Sequence, residues 1–159
     1  MILAVDKQAI FKNAVLKEFQ NWGDLFKVEF SIKLTKRPTS GWTNVFHFTP
    51  NSNHHRIPAL WIHSNGYFYI YSAVNGHAHH YINFKYVIGK QYHMTIQQLK
   101  HFGKYWYEII LNDVTILRVE NRKPKRFPKV KLYASDPWHN PFSSDFGWIS
   151  HIKAEQGEG

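Results

Sequence analysis

The chain has 159 residues, 43% of them hydrophobic and 17% aromatic, with a formal net charge of +9. That length suits one domain with a real core, and the hydrophobic share excludes a disordered chain. There is no cysteine to form disulfide staples, and no apolar run approaches the length of a membrane-spanning helix. The opening "MILAVDKQAIF" lacks the basic start and long apolar run of a secretory signal, so secretion would need a leader ahead of it. Residues 6 to 20 show a weak stripe of Ile10, Ala14, Val15 and Leu16, which suits a short helix or a leading strand equally. "LFKVEFSIKLTKR" then alternates cleanly, with Phe26, Val28, Phe30, Ile32 and Leu34 on one face and Lys27, Glu29, Ser31, Lys33 and Thr35 on the other. Period two over that length predicts an antiparallel strand with one wet face.

"GWTNVFHFTP" alternates as well, placing Asn44 with Trp42 and His47 with Val45 by parity. "IPALWIHS" and "GYFYIYSAVNG" follow, divided by the turn signal Asn65-Gly66. Next come "HYINFKYVIG", "QYHMTIQQLK" and "YWYEIILNDVTILRVEN", the last folded back at Asn112-Asp113, and then "KVKLYAS" and "FGWISHIK". About nine strands divided by Gly, Asn and Pro turns, with no helical period after residue 25, predict an all-β, antiparallel two-sheet sandwich. Residues 22–153 make its body, 1–21 lead into the same domain, and "AEQGEG" at 154–159 reads as a flexible tail.

The phrases "VEFSIKLTKRPTSGWTNVFHFT", "RIPALWIH", "SAVNG", "YEIILNDVTI" and "VKLYASDPW", in this order, resemble a family of invertebrate concanavalin A-like β-sandwich domains. The resemblance covers residues 22 to 153 and implies a jelly roll like that of legume lectins, galectins and laminin-G modules. It also implies an extracellular setting and, for some relatives, sugar binding. Where it leads one to expect a Gly- and Asp-containing loop, this chain has "TPNSNHHRIP".

Several chemistries can be weighed on the residues. Glycoside hydrolysis with retention needs two carboxylates about 5 Å apart. Here Glu29, Glu108 and Glu120 stand alone on their strands, and no cysteine nucleophile or Gly-rich phosphate loop is present, so a non-enzymatic protein is expected. Sugar binding asks for an aromatic ring under the apolar face of a pyranose and for bidentate polar partners at its edge. Asn44, His47, Asn53, His54, Arg56, Trp61 and His63 supply these within one stretch. If 43–49 pairs with 58–64, His47, Trp61 and His63 share a wet face beside Arg56, loosely similar to a galectin site. The alternative is that Trp61 is core and His47 bonds a backbone carbonyl.

The run "RKPKRFPKVK" gathers Arg122, Lys123, Lys125, Arg126, Lys129 and Lys131. It reads either as a solvated connection or as a footprint for a polyanion, heparin-like glycan ahead of nucleic acid. His77 and His79 of "NGHAHHY" share a face, but two imidazoles without cysteine or carboxylate fall short of a structural metal site. In "SDPWHNPF", Asp136 precedes proline and is placed to cap a turn; with Asn140, Asp145 and loop carbonyls it could instead begin a calcium shell. The partners expected are a glycan or glycoconjugate, with a homo-oligomer raising weak single-site affinity.

Overall fold

The computed structural model describes residues 2–5, 15–142 and 146–156. Among them lie thirteen strands and no helix: β1 (Ile2–Val5), β2 (Val15–Trp22), β3 (Phe26–Leu34), β4 (Trp42–Thr49), β5 (Ala59–His63), β6 (Tyr67–Val74) and β7 (His77–Lys85) come first. They are followed by β8 (Gln91–His101), β9 (Lys104–Leu111), β10 (Val114–Glu120), β11 (Phe127–Tyr133), β12 (Asn140–Pro141) and β13 (Gly147–Gln156). One sheet runs β1-β13-β3-β8-β9-β10, and the second runs β2-β11-β4-β5-β6-β7, with β12 lying parallel to β4.

The inward faces meet in one apolar core. Phe26, Val28, Phe30, Ile32 and Leu34 of β3, the alternating set read from sequence, are all buried there. Leu60, Ile62, Phe68 and Ile70 face them from the second sheet. At one end Trp22 packs against Phe19, Phe26 and Phe48 at ring-centroid distances of 4.9, 5.7 and 5.0 Å. These rings draw residues 15–22 into an edge strand paired with β11, so tertiary packing decides the ambiguous leading segment as strand over this part. Residues 6–14 of that segment lie outside the described residues. The expected tail also begins too early. β13 stays paired with β3 as far as Gln156 opposite Phe26, and only 157–159 lie outside the described residues.

Two departures from simple alternation position the site. The β4–β5 register shifts between Asn44 and Phe46, leaving Val45 as an extra residue in β4. A one-residue bulge inverts parity, so Asn44 and His47 lie on the same outer face, whereas alternation alone puts them on opposite faces. Second, β11 leaves the sheet after Tyr133, which pairs with His47. The chain crosses over the outer face and returns at Asn140–Pro141 beside Thr43 and Asn44. Residues 134–139 therefore form a cover over the outer face of β4.

Candidate binding pocket on the outer face of the second sheet

The covering loop is locked from below. Asn44, fully buried, accepts the Asp136 amide on Oδ1 at 2.9 Å and donates from Nδ2 to the carbonyls of Phe46 and Leu60. The Asn44 carbonyl accepts from Ser135 Oγ, which in turn accepts the Phe142 amide at 3.0 Å. Asp136, also fully buried, caps its own turn: Oδ1 accepts the amides of Trp138 and His139 at 3.0 and 2.9 Å. The turn-capping role expected of an Asp before proline is what the loop shows.

The same carboxylate binds two imidazoles. His47 Nδ1 stands 2.8 Å from Oδ2, and His139 Nδ1 lies 3.0 and 2.9 Å from the two oxygens. His47 Nε2 lies 2.8 Å from the carbonyl of His55. Both nitrogens of a fully buried ring thus face oxygen atoms of the protein. Burial by itself would push the Asp136 carboxyl up. The hydrogen bonds from His139 and His47, with the charge of both rings, outweigh it and hold Asp136 well below the usual carboxylate range.

Beside this cluster lies a pocket of about 170 Å³ lined by Trp42, Arg56, Trp61, Tyr71 and His139. Trp61 is only 1% exposed, yet it stands outside the core between the sheets. Its ring meets those of His47, Tyr71 and His139 at 5.3, 5.1 and 5.4 Å. The guanidinium carbon of Arg56 sits 4.6 Å from the ring centroids of both Trp61 and Tyr71, in the corner between two rings inclined at 81°. Asn53 fixes it there, accepting from Nε on its carbonyl and from Nη2 on Oδ1. Burial lowers Arg56 from its ordinary value while Tyr71 and Asp136 pull it back up, and the group remains cationic. Burial likewise raises Tyr71. Trp42, 37% exposed, forms the outer wall, edge-on to His63 and Tyr69 at 4.5 Å each.

Arg56 and Trp61, of the seven sugar-contacting candidates, line this pocket; Asn53 orients Arg56, and His63 supports Trp42. His54 is exposed near His79, with ring centroids 6.5 Å apart. Asn44 and His47 need correcting. The bulge and the covering loop bury both, and their polar side-chain atoms are already bonded within the protein, so they hold the site up from beneath instead of touching a ligand.

Asp136 is corrected too. Its oxygens are engaged by two imidazoles and two amides, which leaves no place for the roughly six-oxygen shell of calcium. Asp145, the other acid considered, lies outside the described residues. No group of three or more His, Cys, Asp or Glu suited to a metal occurs among the described residues, the histidines of β7 included.

Trp42, Tyr71 and His139 escaped the sequence reading. The signal for Tyr71 was present: Tyr67, Tyr69 and Tyr71 alternate with buried Phe68 and Ile70, which places three phenols on a wet face. In the basic run, Arg122 pairs with Glu120 at 3.6 Å and Arg126 with Asp24 at 3.3 Å. Lys123, Lys125 and Lys129 are exposed, with no ion pair among the described residues.

Comparison with solved structures places the fold. The receptor-binding domain of botulinum neurotoxin D superposes with a TM-score of 0.62 at 13% identity over 100% of this chain and 45% of that one. A heptameric SAP-like pentraxin from Limulus polyphemus gives 0.62 at 16% identity, over 96% of this chain and 78% of the pentraxin. A mosaic C/D neurotoxin receptor-binding domain, crystallised with a sulfate ion and a tetraethylene glycol molecule, gives 0.57 at 13% identity over 99% of this chain and 43% of that one. The chain thus spans less than half the length of the toxin domains it matches. No protein-family model matches the sequence, and no curated protein matches it. The fold is an antiparallel, two-sheet jelly-roll sandwich of the concanavalin A-like type, shared with these receptor-binding domains and the pentraxin. No helix among the described residues is long and apolar enough to cross a membrane.

Proposed function

We propose that this protein is a non-enzymatic, extracellular glycan-binding module, akin to the invertebrate concanavalin A-like domains whose phrases it resembles. The observation that carries the reading is the open pocket whose walls are aromatic rings and whose polar groups are a guanidinium, an imidazole and a phenol. A sugar ring stacks on such walls while its hydroxyls bond the polar groups. At about 170 Å³ the pocket is smaller than the roughly 300 Å³ at which drug-sized sites begin, and it suits one terminal sugar residue. A fold shared with receptor-binding domains and a pentraxin is compatible with this role but does not assign it. Glu29, Glu108 and Glu120 lie in the opposite sheet, and no acid is among the described residues that line the pocket, which favours binding over hydrolysis as its use.

A glycan array at moderate salt tests the reading: the protein should bind a defined set of structures, and Trp42→Ala should weaken that binding about tenfold by removing an exposed stacking wall. Binding no sugar above background would reject it. A second reading, binding of a heparin-like polyanion, draws on the three unpaired lysines. Neutralising Lys123, Lys125 and Lys129 together should bring elution from heparin to lower salt and leave pocket-dependent sugar binding unchanged. Unchanged heparin elution would remove the basic run from consideration.

A further inference from the structure

The pocket holds a cation that the protein leaves partly unpaired. Arg56 offers five N–H donors. The bonds to Asn53 engage Nε–H and one on Nη2, and the guanidinium also bonds Tyr71, which leaves part of the fork open. It has no ion-pair partner among the described residues. The indole Nε1–H of Trp61 has no acceptor among them, but neither have those of Trp22 and Trp106, and all three are closed to solvent, so it singles out no ligand. His139 Nε2 is not engaged by Asp136 and accepts from a ligand hydroxyl when Nδ1 holds the ring's proton.

The charged surroundings point the same way. No acid lines the pocket, and the carboxylate that reaches Arg56 electrostatically, Asp136, is buried and bonded to His47 and His139. Burial, and then the charge of Arg56, lower His79, whose ring lies 6.5 Å from that of His54. A half-buried guanidinium bonded to no acid among the described residues is suited to an anionic ligand.

We infer that the pocket selects acidic sugars: the open donors of Arg56 receive the carboxylate of a terminal hexuronate-type residue whose ring stacks against Trp42 and Tyr71. This rests on the glycan reading above and narrows its ligand class. A planar carboxylate suits the remaining in-plane donors of the guanidinium, and the pairing is stronger than in bulk water because Arg56 is half-buried.

The test is titration calorimetry at physiological salt with three probes: a glucuronate-terminated oligosaccharide, its methyl ester, and the neutral glucose-terminated parent. The acid should bind at least about tenfold more tightly than the ester. Arg56→Gln should bring the ratio of acid to ester affinity to about one, whatever it does to the binding of both. Arg56→Lys should recover only part of the difference, because an ammonium lacks the planar fork. The ester comparison alters the ligand and not the protein, so it remains decisive if a variant fails to fold. Equal binding of acid and ester would overturn the inference while leaving the glycan reading intact. A preference for the acid that survives Arg56→Gln, but is lost on neutralising Lys123, Lys125 and Lys129, would overturn it in favour of the basic run. If no glycan of either charge binds, the glycan reading fails and takes this inference with it.

Discussion

Replacing Asp136 with alanine should lower stability by about 3–5 kcal/mol, because the buried ring nitrogen of His47 and two loop amides lose the carboxylate that they bond. At roughly 2–4 °C per kcal/mol for a domain of this size, the melting temperature should fall by about 6–20 °C. Asp136→Asn keeps the shape and can still accept at one oxygen, so it should cost less. It also removes a titration. Because the folded carboxyl is held below its unfolded value, its contribution is fully present above about pH 5 and is lost as pH falls below about 4. The gap in melting temperature between wild type and Asp136→Asn should therefore close progressively as the buffer falls below about pH 4. A gap that stays open in strong acid would show that the Asp136 carboxyl is not held low by its partners His47 and His139.

That cluster marks the boundary of what the sequence discloses. The alternation of 26–34, the turn at Asn112-Asp113 and the general sandwich are readable because each depends on neighbours in the chain. Both turn residues indeed adopt positive φ, 46° and 66°. The capping role of Asp136 is local and legible in the same way. Its bond to His47, 89 residues earlier, is not, because nothing in either stretch records that the loop lies over β4. The extra residue at Val45 is equally silent: β4 alternates convincingly in sequence, yet one bulge places Asn44 and His47 on a common face and buries them under the loop. Of the candidate residues, Arg56 and Trp61 thus line the pocket, while Asn44 and His47 lie beneath it. Tyr71 and His139, which complete the pocket, arrive from β6 and from the far end of the covering loop.

Trp61 separates support from recognition, and two substitutions should divide its roles. Trp61→Ala removes a 1% exposed ring that touches His47, Tyr71 and His139 and carries Arg56, so a loss of about 3–5 kcal/mol is expected, together with all binding at the pocket. Trp61→Phe keeps an aromatic floor and deletes the indole N–H that has no acceptor. An unsatisfied buried donor costs about 1–3 kcal/mol, which offsets much of the packing lost with the smaller ring, so stability should change by no more than about 1 kcal/mol. Binding should respond little: acid and ester should both bind this variant within about twofold of wild type, because the floor stays aromatic and Arg56 keeps a ring beneath it. A loss confined to the acid would give the indole N–H a direct part in binding, whereas stability falling as far as in the alanine variant would mean that the N–H has a partner in solution.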